Sequence, residues 1–268
     1  MTGTTASLSF SDIRLSNGVR LHYAEQGDPA GDTVLLLHGY GDSWFSWSRV
    51  LPGLTPGRRA IAFDLRGHGD SDRPAQGYAM RELAEDVVGF MCARHIAHAA
   101  VVGHSMGSFV AQQVALAAPR RVSRLVLVGS GTAPTRFNGL LELQRMVNAL
   151  PDPVPEGFIR EFQESTIHRG VPEEFLERVV AESRKLPAFV WREAIAGMLA
   201  TGRPERLRAE GIPTLMLWGD RDGMSSRAEQ EALTMLLGGE LKAYDDTGHA
   251  PHWERPDELA ADLEEFLG

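Results

Sequence analysis

The sequence has 268 residues, of which 43% are hydrophobic and 24% are charged, and this composition is that of a globular protein. Its length fits one large α/β domain, or a core domain with an inserted subdomain. The formal net charge of −9, with no run rich in Lys or Arg, argues against a nucleic-acid partner, and the single cysteine, Cys92, excludes an internal disulfide and a cysteine-based metal cluster.

The N-terminal residues show no feature of export or membrane insertion. Residues 1–7 are polar and uncharged, so they have neither the basic start nor the apolar core of a secretory signal. No apolar stretch of the sequence reaches the ~18 residues that a membrane-spanning helix needs. We therefore expect a cytoplasmic protein with no membrane partner.

The first predicted strands form a hairpin. Apolar and polar residues alternate from Leu8 to Leu15 and again from Val19 to Gln26, with the turn residues Ser16-Asn17-Gly18 between them. Residues 33–37 (TVLLL) are too continuously apolar for a strand with one solvated face, so we predict a central strand that is buried on both sides. Residues 59–63 form the next strand.

The loop after the central strand has two interpretations. It begins His38-Gly39-Tyr40-Gly41, and a glycine-bracketed loop at the carboxyl end of a central strand can direct a backbone N–H, here that of Tyr40, into the ligand crevice. The alternative is a simple strand-to-helix connection packed by Trp44 and Trp47. Taken alone, the loop favours neither interpretation.

The segment from Asp64 to Pro74 is dense in carboxylates and glycines. A metal site is one interpretation, but an irregular loop held by hydrogen bonds and an ion pair of Asp64 and Arg66 is favoured. A helix is predicted from about Met80 to His95, and Cys92 within it is expected to be a small buried residue.

The centre of the sequence is the motif G-x-S-x-G at residues 103–107. Val101 and Val102 precede it as a strand, and a helical pattern follows it, so the chain must turn sharply at Ser105. Gly103 and Gly107 have no Cβ, which permits that tight turn and leaves the serine hydroxyl pointing outward. This context favours a nucleophile at the start of a helix over a structural serine turn.

Strand and helix alternate up to residue 132, which predicts a mostly parallel sheet with helices on both faces. Between residues 133 and 208 the alternation stops, and helical spacing recurs four times with proline-rich joints. We predict that residues 133–208 form a helical cap over a core built from residues 1–132 and 209–268. The sheet resumes at residues 213–218 and 241–244.

Ser105, Asp222 and His249 lie in that order, each beyond the carboxyl end of a predicted parallel strand. Such ends converge at one edge of a sheet, so the three residues can meet as a nucleophile, a general base and the carboxylate that orients the base. Spacing alone does not choose between Asp222 and Asp220. The backbone N–H groups of Met106 and Tyr40 are the candidate oxyanion donors, each worth ~3 kcal/mol.

Four histidines compete for the role of the base. His249 follows a glycine just after the last strand, where the chain order of a triad places the base. His38 and His104 flank glycine turns, which favours a scaffold role for them. His252 remains a competitor because it lies in the same loop as His249.

Five segments together resemble the α/β-hydrolase superfamily over nearly the whole chain. They are His38-Gly39-Tyr40, the Asp64-x-Arg66-Gly67-x-Gly69-x-Ser71 loop, Gly103-His104-Ser105-Met106-Gly107, Trp218-Gly219-x-x-Asp222 and Gly248-His249-Ala250-Pro251. The resemblance implies an eight-stranded, mostly parallel sheet with one antiparallel strand, a helical cap and no cofactor or metal. It also favours Asp222 over Asp220 as the acid, and it assigns the oxyanion donors to Tyr40 and Met106.

The family contains many reactions, so the fold alone does not name the substrate. Epoxide hydrolases and haloalkane dehalogenases with this loop pattern use Asp at the position of Ser105, so both are disfavoured. We expect a carboxylic ester or lactone hydrolase, a monomer or homodimer, acting on small to medium apolar molecules. The alternatives are a carbon-carbon bond hydrolase, a perhydrolase or a slow hydrolase-like receptor. We expect tryptophans to line the substrate pocket, namely Trp44, Trp47, Trp191 and Trp253.

Overall fold

The computed structural model describes residues 7–268. Most of the N-terminal segment in which no secretory signal was found therefore lies outside the described residues. Within them, eight strands form one sheet. The strands are β1 (Ser9–Arg14), β2 (Arg20–Gln26), β3 (Thr33–Leu37), β4 (Arg59–Phe63), β5 (Ala99–His104), β6 (Val122–Val128), β7 (Thr214–Gly219) and β8 (Glu240–Tyr244).

The strand order across the sheet is β1-β2-β4-β3-β5-β6-β7-β8. Only β2 runs against both of its neighbours, and every pair from β4 to β8 is parallel. The expectation of an eight-stranded sheet with one antiparallel strand is confirmed. So is the predicted hairpin, because β1 and β2 pair in antiparallel register around the turn at Gly18, whose φ is 89°.

Helices cover both faces of the sheet. The helices are α1 (Met80–Ala93), α2 (Met106–Ala117), α3 (Leu140–Asn148), α4 (Glu156–Glu164), α5 (Glu173–Ser183), α6 (Ala188–Leu199), α7 (Arg227–Leu237), α8 (Pro251–Glu254) and α9 (Pro256–Leu267). Neighbouring residues of β3 show the two faces: Leu35 belongs to the core under α1 and α2, whereas Leu36 packs in the core under α9. β3 is therefore a central strand buried on both sides, as predicted. None of the helices in the described part of the chain has the length and apolar character needed to cross a bilayer.

Four helices, α3 to α6, lie between β6 and β7, and residues 133–208 contain no strand. We call this segment the inserted helices. Their buried residues, such as Ile159, Trp191 and Ile195, join the same core as α1 and α2. The inserted helices are thus packed against the rest of the fold through that core.

The loop after β4 is held by hydrogen bonds and an ion pair. Asp64 is buried, and its two carboxylate oxygens accept the backbone N–H groups of Trp44 and Asp70, both at 2.7 Å. Arg66 donates two 2.5 Å hydrogen bonds to the buried carboxylate of Asp86 on α1. Hydrogen bonds therefore hold this loop as expected, but the ion pair of Arg66 forms with Asp86 on α1 and not with Asp64.

The expectation for Cys92 is wrong. Its side chain is exposed, whereas the preceding residue, Met91, is fully buried in the core. One step along a helix turns a side chain by about 100°, so Cys92 points away from the sheet that Met91 contacts.

Candidate active site

The strand β5 ends at His104, and α2 begins at Met106, so Ser105 alone makes the turn between them. Its φ of 49° and ψ of −116° are strained for a residue with a side chain. A Cβ on Gly103 would lie 2.2 Å from the carbonyl oxygen of Gly107, and a Cβ on Gly107 would lie 2.4 Å from that of Leu37. Both glycines are therefore required, as the motif predicts, to hold the serine at the apex of the turn.

The three predicted residues meet above the carboxyl ends of the strands. His249 Nε2 lies 2.9 Å from Ser105 Oγ, and His249 Nδ1 lies 2.8 Å from Asp222 Oδ2. The side chains of His249 and Asp222 are 2% and 0% exposed. Asp222 only accepts hydrogen bonds when ionised, so the histidine proton lies on Nδ1 and Nε2 faces the serine hydroxyl as an acceptor.

Asp222 is held in place by its own loop. Its second oxygen, Oδ1, accepts the backbone N–H groups of Met224 at 2.8 Å and Ser225 at 3.0 Å. Asp220 instead accepts the N–H of Thr247 at 3.3 Å, and its side chain is one-third exposed. The geometry therefore brings Asp222, and not Asp220, to His249.

The three competing histidines lie near groups other than Ser105 Oγ and Asp222. His104 Nε2 lies 3.0 Å from the carbonyl oxygen of His249, and His252 Nε2 lies 2.9 Å from Ser46 Oγ. His38 Nε2 accepts the N–H of Leu65 at 3.0 Å. Burial lowers the pKa of His38, His104 and His252 well below the usual value, so all three are neutral at physiological pH.

The two candidate oxyanion donors lie on the segments that flank Ser105. Met106 is the first residue of α2, so its N–H has no acceptor within the helix. Tyr40 lies in the loop after β3 and lines the same cavity as Ser105. Within residues 7–268, neither N–H donates a hydrogen bond to a protein acceptor. Tyr40 is anchored at its other end, where its hydroxyl donates to the carbonyl of Trp191 at 2.6 Å.

A narrow cavity lies over Ser105. Its lining combines the loop after β3, the start of α2, the inserted helices and the loops after β7 and β8. The lining residues are Tyr40, Asp42, His104, Ser105, Phe137, Leu140, Leu143, Phe162, Gln163, Thr166, Met198, Met224, His249 and Trp253.

Three of the four tryptophans predicted for the pocket do not line this cavity, which corrects the sequence expectation. Trp47 is fully buried on the α9 side of the sheet, and Trp44 packs in the same core with its ring against Phe10. Trp191 lies behind Tyr40, with the two rings 5.0 Å apart, so it supports the wall without forming it. Only Trp253 faces the cavity.

Sequence reasoning missed a buried carboxyl group in this cavity. Asp42 is 3% exposed, and it accepts hydrogen bonds from Gln163 Nε2 at 3.0 Å and from Ser46 Oγ at 3.3 Å. Burial raises its pKa to about 7, and the hydrogen bonds from Gln163 and Ser46 oppose that shift. Its position two residues after Tyr40, in the predicted oxyanion loop, was the available signal.

Comparisons with known proteins agree with this fold. The model of the alpha/beta hydrolase family matches residues 34–262. The chain is 30% identical to the dihydrolipoyllysine-residue acetyltransferase component of the acetoin cleaving system of Cupriavidus necator, over 98% of this chain and 70% of that protein. It is 26% identical to epoxide hydrolase 3 of Xenopus tropicalis, over 95% of this chain and 77% of that protein.

Among solved structures, that of a membrane phospholipase A, a bacterial virulence factor, is similar with a TM-score of 0.83. The two sequences are 28% identical, and the match covers 97% of this chain and 86% of that one. Together with the family model, which spans most of the sequence, these likenesses lead to one conclusion: the chain belongs to the alpha/beta hydrolase family.

Proposed function

We propose that this hydrolase cleaves carboxylic esters, including lactones, of small to medium apolar molecules through an acyl-enzyme on Ser105. The observation that carries the proposal is the buried chain of hydrogen bonds from Ser105 through His249 to Asp222. A serine hydroxyl attacks a carbonyl carbon only when a base removes its proton, and this chain provides the base and its orienting carboxylate.

In the acylation step, His249 Nε2 takes the proton of Ser105 as Oγ bonds to the ester carbonyl carbon. The negative charge that develops on the carbonyl oxygen is stabilised by the N–H groups of Met106 and Tyr40. Collapse of this intermediate breaks the ester bond, and the imidazolium of His249 gives its proton to the departing alcohol. Asp222 stabilises the imidazolium while it exists.

In the deacylation step, His249 takes a proton from a water molecule, whose oxygen attacks the acyl carbon. The same two N–H groups stabilise the second oxyanion, and the imidazolium returns its proton to Ser105 as the acid product leaves. Ser105, His249 and one water molecule account for every proton that is transferred in the two steps. We therefore propose that the reaction needs no cofactor or metal.

The identity of the nucleophile favours ester chemistry over epoxide opening. An epoxide hydrolase of this family attacks with a carboxylate at the turn after β5, whereas this chain has Ser105 there. The 26% identity to epoxide hydrolase 3 therefore supports the shared fold and loops more than a shared reaction. The similar phospholipase A structure belongs to a class of enzymes that cleaves carboxylic esters.

The cavity supports the apolar substrate class. Its walls include Phe137, Leu140, Leu143 and Met198 from the inserted helices. We propose that residues 133–208 act as a cap that encloses the substrate above Ser105, on a core of residues 1–132 and 209–268. A cap of this kind excludes bulk water and strengthens the electrostatic interactions inside the site.

The test measures nitrophenol release from p-nitrophenyl acetate, butanoate and octanoate under multiple-turnover conditions. We expect rapid turnover by the wild type, a chain-length preference that reports the cavity's size, and a fall in kcat of about 10⁴-fold or more in Ser105→Ala. Ser123→Ala is the matched control, because Ser123 is exposed on β6, away from the cavity. Equal activity in Ser105→Ala and Ser123→Ala would contradict the proposal.

A further inference from the structure

Three polar side chains of the cavity lining are grouped together. Asp42 and Gln163 are joined by a 3.0 Å hydrogen bond, and Thr166 follows α4, the helix that carries Gln163. Asp42 belongs to the core loop that follows β3, whereas Gln163 and Thr166 belong to the inserted helices. All three line the cavity that contains Ser105, and they are nearly fully buried. We call these three residues the polar end.

The hydrogen bonds around Gln163 distinguish the nitrogen of its side-chain amide from the oxygen. Ser183 Oγ donates its proton to the carbonyl of Val179 at 2.9 Å, so it can only accept from the Gln163 atom that lies 2.9 Å away. That atom is therefore the nitrogen Nε2, which donates its two hydrogens to Ser183 and Asp42. The carbonyl oxygen Oε1 of Gln163 has no hydrogen-bond partner within residues 7–268.

The other two members of the polar end also have acceptor capacity to spare. Thr166 donates its only hydroxyl proton to the carbonyl of Gln163 at 2.7 Å, which leaves the oxygen's lone pairs. An ionised Asp42 accepts from Gln163 and Ser46 and offers no proton of its own. Each of the three lining residues therefore has an oxygen that can accept a further hydrogen bond, and every donor among their side chains is already used.

We propose that the polar end recognises a hydrogen-bond donor on the substrate, so that the preferred esters or lactones carry a free hydroxyl group that reaches Gln163 Oε1. This inference rests on the proposed function and narrows its substrate class. A substrate with a purely apolar chain would leave Gln163 Oε1 buried without a hydrogen-bond partner and without hydration. A hydroxyl group satisfies this acceptor, and a site built for a hydroxyl rejects the analogue that lacks it.

The test compares p-nitrophenyl hexanoate with its 3-hydroxy and 6-hydroxy derivatives at a pH above 8, where Asp42 is ionised. For each protein, the preference is the kcat/KM of a hydroxy ester divided by that of hexanoate. Because the hydroxyl also changes the ester's own reactivity, the informative quantity is the change in preference between proteins. We expect the preference for at least one derivative to be about tenfold higher in the wild type than in Gln163→Met, which removes both amide groups at similar volume.

Leu143→Met is the matched control, since Leu143 is an apolar residue of the same lining. It should change the rates of hexanoate and the hydroxy esters together and leave the preference unaltered. Gln163→Leu removes the same amide and serves as the second variant if Gln163→Met fails to fold. Equal preferences in the wild type and in a folded Gln163→Met or Gln163→Leu would overturn the inference.

Binding separates this inference from the proposed function. Ser105→Ala keeps the polar end, so its affinity for the same three esters can be measured by calorimetry without cleavage. Tighter binding of a hydroxy ester, lost when Gln163→Met is added to Ser105→Ala, supports donor recognition even if the wild type turns over none of the esters. Equal affinities for all three esters overturn donor recognition, even where Ser105-dependent turnover supports the proposed function.

Discussion

The buried carboxyl group of Asp42 makes the stability of the fold depend on pH in a predictable direction. Burial raises its pKa from 3.8 to about 7, so the folded state holds its proton more tightly than the unfolded state does. A group of this kind contributes stability that is fully present below the unfolded pKa and is lost as the pH rises through the folded pKa. We therefore expect Asp42 to destabilise the fold progressively above about pH 4.

The substitution Asp42→Asn removes the titration and nearly keeps the volume. Between about pH 5 and about pH 8.5, only the interval up to the folded pKa of about 7 contributes, at about 1.4 kcal/mol per pH unit. The free energy of unfolding of the wild type should therefore fall by about 3 kcal/mol more than that of Asp42→Asn over this range. The other titratable groups are common to both proteins, so their contributions cancel in the comparison.

Urea denaturation, followed by tryptophan fluorescence at the two pH values, measures this difference. Asp220→Asn makes the same substitution at a partly exposed carboxyl and controls for the general effect of losing one negative charge. If the wild type and Asp42→Asn lose equal stability between the two pH values, then Asp42 ionises normally in the fold, and the reasoning from burial is refuted.

Three further predictions follow from the site and its supporting loops. Asp222→Asn should lower kcat by about 10⁴-fold, as loss of the orienting carboxylate does, whereas Asp220→Asn should change kcat little; ester hydrolysis assays that rank them in reverse would contradict the acid assignment. Ser105→Gly should unfold at higher urea than Ser105→Ala, by about 1 kcal/mol, because glycine relieves the strain at a φ of 49°; equal midpoints would contradict strain at the turn. Arg66→Met should cost about 3 to 5 kcal/mol in urea denaturation, because it leaves the carboxylate of Asp86 buried without its charge partner, and a loss below about 1 kcal/mol would contradict that role.

The sheet could be predicted because its signals are local. Central strands such as residues 33–37 are continuous apolar runs, and the turn at Ser105 carries its own glycine pattern. The meeting of Ser105 and His249 with an acidic residue could be predicted because parallel strands bring their carboxyl ends to one edge. Spacing left Asp220 and Asp222 as alternatives, and the family resemblance favoured Asp222. These inferences use the backbone and its periodicity, which the sequence encodes directly.

Side-chain directions could not be predicted in the same way. Trp44 and Trp47 lie in the same loop as Tyr40 after β3, yet their side chains pack in the core on the α9 side. Asp42 is one of 36 acidic residues, and its burial involves contacts with Ser46 and with Gln163, which is 121 positions away in the sequence. Tertiary contacts of this kind have no local signature.

The helix α7 had a local signal that the sequence analysis did not use. Ser226 accepts a hydrogen bond from the N–H of Glu229 at the start of this helix, and the spacing Ser-x-x-Glu is typical of a helix N-terminus. The loop before this helix, around Asp222, is polar, so the start of the helix at Arg227 does not stand out by a change in hydrophobicity.

Covalent labelling of the nucleophile tests the central claim most directly. A fluorophosphonate is attacked by an activated serine, which expels fluoride and leaves a stable phosphonyl group on the oxygen. Peptide mapping by mass spectrometry should find one phosphonyl group on the peptide that contains Ser105 in the wild type, and none in Ser105→Ala or His249→Ala. Labelling at another residue, or an unlabelled Ser105 in a protein that still turns esters over, would contradict the account.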